Sequence, residues 1–365
     1  MRSLSDTITR LAAARQNFQA TTGTADRLVD MPSFGPNPGQ LKARIYVPAA
    51  LDAGAPLVVV LHGCTQTAAG YDHGSGWSAL ADRHGFALLY PEQQSANNFN
   101  LCFNWFLAED IRRDSGEAMS IRQMVDQMVR DHALDPGRVF VTGLSAGGAM
   151  TSVMLATYPD VFAGGAIIAG LPYGSATTMP QALDRMRGVG SPGGTDLGAL
   201  IRNASPHDGP WPTVSIWHGG GDHTVVPANM AAIVDQWRAV HDLPSAPSTT
   251  DTIDGHTRRV WRDGAGRACI EAIAIAGMAH GTPIDPRGAD GVGAAGPHML
   301  DVGIASSERI IDFWGIGGAW DGQVAPKPHP APSPAATVAH AAATSPQAGV
   351  AKVIDDALRA AGLMR

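Results

Sequence analysis

The chain of 365 residues has little charge, few aromatic side chains and only three cysteines. Charged residues make up 16%, against about 25% in ordinary globular domains, which argues against a coiled coil or a disordered chain. Lys and Arg number 26 and Asp and Glu 33, for a formal net charge of −7. No basic run or stripe is present to neutralise a series of phosphates, so no nucleic-acid partner is expected. The longest apolar stretch, around Leu57 to Leu61, is strand-sized and far short of the roughly 18 residues of a membrane span. The chain therefore reads as soluble, with no membrane partner. The first residues, MRSLSDTITRLAAARQNF, have no uninterrupted apolar region of the secretory kind. They read instead as an amphipathic helix with Leu4, Ile8, Leu11 and Ala12 on one face. Cys64, Cys102 and Cys269 are too few for a disulfide scaffold and lack metal-site spacing. At most one bridge forms, and no metal or other cofactor is expected.

What the chain does have is 44% hydrophobic residues, enough for a large core, and a surplus of glycine (43) and proline (26). Length alone allows two domains of roughly 150 residues or one larger α/β domain. From Arg44 to about Trp314, short apolar runs ending in Gly or Pro alternate with longer helical patterns. That is the pattern of strand and crossover-helix units around a mainly parallel sheet with helices on both faces. Strands are expected at Ala43 to Val47, Pro56 to Leu61, Ala87 to Tyr90, Arg138 to Thr142, Gly164 to Ala169, Thr213 to Trp217 and Ala268 to Ile275. The continuously apolar LVVVL run belongs at the centre of the sheet. Helical spacing occupies Gly76 to His84, Ser120 to His132, Ala146 to Tyr158, Asn229 to His241 and Pro297 to Trp314. Residues Ser175 to Asn203 read as a surface insertion of no assigned fold. Four segments result: a lead-in at 1–40, a catalytic domain at 41–320, a Pro/Ala-rich linker at 321–348, and a loosely attached helix or tail at 349–365.

The chemistry starts at Gly143-Leu144-Ser145-Ala146-Gly147, directly after the strand RVFVT and before a helical pattern. Strand, tight turn and helix form the context of a nucleophile elbow, which exposes a serine hydroxyl; the alternative is a plain helix N-cap at Ser145. A serine needs a base, and the base needs a carboxylate to fix its tautomer. Asp222 follows the strand TVSIWHG in a glycine-rich loop, and His280 follows the strand ending at Ile275. Both stand in the order Ser, Asp, His. Asp208 and Asp254, and His223, His256 and His298, are rivals that lack either the strand-end position or the order.

Leu61-His62-Gly63-Cys64 follows the central strand, where a second oxyanion donor arises beside the N–H of Ala146. Cys64 is expected to contribute its backbone, and His62 to stiffen the loop by a local hydrogen bond. Tyr71, Trp105 and Trp217 are close in sequence to these loops and are candidates to line an acyl groove, with core packing the alternative for each. Cys64 and Cys102 could either form a bridge or remain free thiols, and Cys269 reads as a small core residue.

The segments PLVVVLHGCTQTAAGYD, HGFALLYPEQQ, NLCFNWF, DPGRVFVTGLSAGGAM, ATYPDVFAGGAIIAGLPYG, WHGGGDHTVVP and GMAHG together resemble the polyhydroxybutyrate depolymerase-like esterases of the α/β-hydrolase superfamily. The resemblance runs from about residue 40 to 315. It implies an α/β-hydrolase fold, Ser145 as nucleophile with Asp222 and His280, oxyanion donors at Cys64 and Ala146, and a Cys64–Cys102 disulfide. It also implies polyester, oligoester or small-ester substrates; because no signal and only about 45 residues after the core are recognisable, in place of the family's usual polymer-binding domain, soluble oligomers, amorphous polyester or small esters are expected before crystalline polymer. A feruloyl or acetyl carbohydrate esterase, a general short-chain carboxylesterase and a non-catalytic hydrolase-fold binding protein are the other readings. The missing leader points to the cytoplasm, whereas the disulfide and the resemblance fit the periplasm or the outside. No feature sets an oligomeric state.

Overall fold

The structure, a computed structural model, describes residues 26–316 apart from 191, 193, 288 and 289. The expected N-terminal helix around Leu4 to Ala12, the linker and the tail lie outside the described residues. Strands follow in the order β1 (Val29–Asp30), β2 (Lys42–Tyr46), β3 (Leu57–Leu61), β4 (Ala87–Glu92), β5 (Val139–Leu144), β6 (Gly164–Ile168), β7 (Thr213–Gly219), β8 (Thr249–Ile253), β9 (His256–Arg262), β10 (Ala268–Ile275), β11 (Thr282–Ile284) and β12 (Met299–Asp301). The helices are α1 (Ala68–Ser75), α2 (Trp77–His84), α3 (Gly116–Asp131), α4 (Ala146–Thr157), α5 (Met179–Met186), α6 (Gly194–Arg202), α7 (Ala228–His241) and α8 (Ser306–Trp314).

Ten strands form one sheet in the order β1-β2-β4-β3-β5-β6-β7-β10-β9-β8. From β4 to β10 every neighbour is parallel, and antiparallel strands close both edges. The LVVVL strand β3 is central and wholly buried, as its unbroken apolar run requires. Its side chains alternate between two cores. Leu57, Val59 and Leu61 join Met124 and Met128 of α3, Met150 and Val153 of α4, and Trp237 of α7. Val58 and Val60 join Tyr71 of α1, Trp77 and Leu80 of α2, and Ile310 and Trp314 of α8. Helices thus cover both faces, and loops at the C-terminal ends of β3, β5, β7 and β10 meet at one edge of the sheet, where ligands of open α/β sheets bind. Among the described residues no helix is long and apolar enough to cross a membrane.

All seven expected strands are present, with small shifts at their ends. Three readings change. The sheet starts at Val29, before the expected boundary at residue 41. Residues 175–203 are not a surface insertion without fold: they carry α5 and α6, whose Ala182, Leu197 and Ile201 are buried. Gly198 lets α6 approach α7 so closely that an added Cβ would lie 2.6 Å from the Ala239 methyl. The expected helix from Pro297 begins only at Ser306, because Met299–Asp301 pairs with Thr282–Ile284.

Candidate active site

Ser145 sits between β5 and α4 with φ 58° and ψ −117°, a strained conformation for a residue with a side chain. Its N–H donates to Ile168 O (2.9 Å), and its hydroxyl makes no capping bond to α4. The plain N-cap role is thereby excluded, and Ser145 stands half-buried at the turn. Gly147 permits this geometry: a Cβ there would lie 2.2 Å from Leu61 O and 2.6 Å from His62 O. The glycine therefore seats the first turn of α4 against the loop that follows β3. The Ala146 N–H, first in the helix, is one of the donors that a helix start leaves unpaired.

Asp222 and His280 follow the adjacent parallel strands β7 and β10, which pair through His218↔Ala274 and Gly219↔Ile275. Their loops are laced together. Gly220 N–H donates to Ile275 O (2.8 Å) and Gly221 N–H to Met278 O (2.9 Å). Gly219 has no room for a side chain, since a Cβ would lie 2.2 Å from Met278 O. This lacing brings His280 Nδ1 to 2.7 Å from Asp222 Oδ2. The other carboxylate oxygen, Oδ1, accepts the N–H groups of Thr224 (2.8 Å) and Val225 (2.9 Å). Burial alone would raise the Asp222 pKa, but the hydrogen bond and charge of His280 and the two backbone donors hold it below the ordinary carboxylate value. An ionised Asp222 fixes the proton on His280 Nδ1, leaving Nε2 with the lone pair of a base.

Two histidines flank this pair. His218 is buried, its Nε2 lying 2.7 Å from Val225 O and 3.5 Å from Asp222 Oδ2, and burial lowers its pKa despite the carboxylate. His298 is exposed, holds His280 O through Nδ1 (3.1 Å), and meets the His280 ring edge-on at 5.8 Å between centroids. Sequence reasoning did not single out His218; its place on β7, four residues before the acid, was the available signal.

The loop after β3 is the most constrained part of the site. His62 is buried, its Nε2 accepts the Gln93 N–H (3.1 Å), and its Nδ1 therefore carries the proton and donates to Gly63 O (2.8 Å). Burial depresses its pKa, so the ring is neutral. The expected local bond of His62 is present. It also has a directional effect, because Gly63 C=O and Cys64 N–H belong to one trans peptide and point opposite ways. Fixing the carbonyl aims the N–H. Gly63 N–H is occupied by Gln66 Oε1 (2.8 Å) and Thr65 N–H by Asn100 O (2.7 Å). Cys64 is bonded to Cys102 across a Cα–Cα distance of 4.3 Å, and Cys269 is a buried free thiol.

The groove candidates separate. Tyr71 is fully buried on the inner face of α1, its hydroxyl 3.0 Å from Thr282 Oγ1. Trp217 is fully buried in β7, where both faces of the strand are covered, and its Nε1 donates to Ser215 Oγ (2.8 Å). Both are core residues and line no open groove. Trp105 is 7% exposed and stacks edge-on against Phe106 in the core that contains Ala146. Among the rivals, Asp208 and His223 are exposed, Asp254 pairs with Arg309, and His256 bonds Val302 O.

The family model for esterase PHB depolymerases matches residues 41–260, from the start of β2 into β9. The chain is 49% identical over 314 residues to poly(3-hydroxyalkanoate) depolymerase C of Paucimonas lemoignei, covering 84% of this chain and 75% of that protein. It is 30% identical over 270 residues to feruloyl esterase B of Talaromyces funiculosus, covering 72% and 75%. Among solved structures, acetyl xylan esterase from Aspergillus awamori superposes with a TM-score of 0.67 at 25% identity, covering 79% of this chain and 98% of that one. With most of the catalytic sheet inside the family model and a relative matched along most of both chains, this chain belongs to the PHB depolymerase esterases, carboxylic ester hydrolases of the α/β-hydrolase fold.

Proposed function

We propose that Ser145, His280 and Asp222 cleave ester bonds of short-chain hydroxyalkanoate polymers or oligomers through an acyl-enzyme. The observation that carries the chemistry is the 2.7 Å contact between His280 Nδ1 and Asp222 Oδ2. Ser145 Oγ attacks the ester carbonyl as His280 Nε2 takes its proton, and the N–H groups of Ala146 and Cys64 receive the developing oxyanion. His280 then gives the proton to the departing alkoxide, leaving an acyl group on Ser145. Water loses a proton to His280, attacks the acyl carbonyl, and frees the hydroxy acid as the proton returns to Ser145. Asp222 keeps the ring oriented and stabilises its cationic form. Trp105, in the same core as Ala146, is the remaining candidate for the acyl side of the pocket.

The substrate class is supported by the 49% identity to a poly(3-hydroxyalkanoate) depolymerase, against about 30% for the carbohydrate esterases. Hydroxybutyrate oligomers, amorphous polymer, p-nitrophenyl butyrate and methyl ferulate, offered side by side, test it. Oligomers and amorphous polymer are expected to give the highest kcat/KM or rate of acid release. Faster cleavage of methyl ferulate would transfer the chain to the carbohydrate-esterase reading.

A further inference from the structure

Behind the oxyanion loop is a fully buried carboxylate that the mechanism above does not use. Glu117, in the first turn of α3, is 0% exposed. Its Oε1 accepts from Gln93 Nε2 (2.6 Å) and Asn104 Nδ2 (2.8 Å), and its Oε2 from the Asn104 N–H (2.9 Å). Three neutral amide donors converge on the two oxygens of the carboxyl group, where a glutamine would offer one oxygen and an NH2. Each donor leads to an anchor of the Cys64 peptide. Gln93 gives its backbone N–H to His62 Nε2, which sets the tautomer that holds Gly63 O. Its side chain also donates to Cys102 O (3.2 Å). Asn104 is two residues from Cys102, whose sulfur is bonded to Cys64. Asn104 Oδ1 in turn accepts from Asn98 Nδ2 (3.1 Å), and Asn98 Oδ1 accepts the Cys102 N–H (3.3 Å).

We propose that Glu117 is a positioning residue for the ester cleavage: through Gln93 and Asn104 it fixes both anchors of the oxyanion loop, the His62–Gly63 bond and the Cys64–Cys102 bridge, and so the direction of the Cys64 N–H. The carboxyl group is costly to ionise where it lies. Burial, and then the nearby Asp110 carboxyl, push Glu117 up to about 8, and burial pushes Asp110 itself to about 6. Asp110 Oδ1 accepts the Glu117 N–H (3.1 Å), which ties the pair together at the start of α3. A glutamine of the same shape would turn an NH2 group toward the donors and leave at least one of them without an acceptor. The positioning of a catalytic loop accounts for a glutamic acid there better than fold stability does.

This inference rests on the Ser145 and oxyanion-loop reading, and the test separates the two. Glu117→Gln and Gln93→Leu are assayed with p-nitrophenyl butyrate, active sites being counted by complete labelling with a fluorophosphonate, with Ser145→Ala alongside. Each variant is expected to lose about 10- to 100-fold in kcat per labelled site, the scale of a small misplacement of a catalytic group, with KM within about twofold of wild type. The double variant should lose less than the product of the two, since both act on one network. A merely structural Glu117 would lower the melting temperature or the labelled fraction and leave kcat per labelled site unchanged, which overturns the proposal. If Glu117→Gln does not fold, Gln93→Leu alone decides by the same criterion. Hydrolysis retained in Ser145→Ala would instead overturn the reading on which the inference rests.

Discussion

Around Ser145 the site is held by side chains and a covalent bridge, whereas around Asp222 and His280 it is held by backbone. The Cys64 peptide depends on the His62 ring, on Gln66 and on Cys102. The acid and base loops depend on Gly220 and Gly221 N–H bonds and on the missing side chain of Gly219. The first half can be altered by redox conditions or by a distant substitution such as one at Glu117. The second has no thiol to reduce, and its geometry persists as long as β7 and β10 pair. In the proposed mechanism the two halves perform different tasks, one stabilising charge on the oxyanion and the other moving a proton, so damage to each should have its own kinetic signature.

The largest effect should come from the backbone-held half. Asp222→Asn keeps an oxygen for the Thr224 and Val225 N–H groups but can no longer fix the His280 tautomer. A fall in kcat on the order of 10⁴-fold is expected with the fold intact by circular dichroism; a loss under tenfold would mean that Asp222 is not the acid. Next in size is the bridge. Replacing both Cys64 and Cys102 by serine, or reducing them, opens a loop with a sequence separation of 38, worth about 4 kcal/mol in the chain-entropy model. Urea unfolding should show that loss, and kcat should fall roughly tenfold as the Cys64 N–H is released. If reductant lowers the activity of Asp222→Asn and of wild type by the same factor, the halves act independently; a reductant with no effect on wild-type kcat would remove the distinction between them.

A third effect is on stability as a function of pH. Glu117 has a folded pKa of about 8 against about 4.3 in an unfolded chain. Between those values the unfolded chain has lost the proton and the folded one keeps it, so the Glu117 contribution to stability falls as pH rises through this window and levels off above it. Asp222 has the opposite sign: its pKa is depressed, and its contribution is present above about 3.9 and lost as pH falls through the folded value. Urea midpoints from pH 5 to 8.5 should therefore decline in wild type and decline less in Glu117→Gln. Equal slopes would show that Glu117 titrates normally. Glu271, buried and pushed up to about 7, supplies a residual slope in both.

The proposed triad of Ser145, Asp222 and His280 was legible because each member follows the end of an apolar strand and is surrounded by glycines that leave room for close loops. Tyr71 and Trp217 were misplaced because nearness in sequence to a loop does not say which way a side chain faces. A residue in β7, covered on both sides, has no route to the surface. The edge hairpin of β8 and β9 escaped notice because β8 is mostly exposed and β9 only partly buried, although Asp254-Gly255, with φ 48° and 81°, is the kind of turn that announces a hairpin. α5 and α6 were hidden by glycines among few apolar residues. Glu117 could not be found from sequence at all. Its partners come from three segments that only the fold brings together, and a lone Glu at a helix start reads as ordinary compensation of the helix dipole.

The central claim is that Ser145 is the nucleophile of an ester hydrolase. The direct test is to treat wild type and Ser145→Ala with a fluorophosphonate, locate the adduct by peptide mass, and follow hydroxybutyrate-oligomer cleavage in the same samples. The adduct should lie on Ser145 and be absent from the variant, with cleavage reduced by at least about 10³-fold. An adduct on another residue, or oligomer cleavage surviving in Ser145→Ala, would contradict the account.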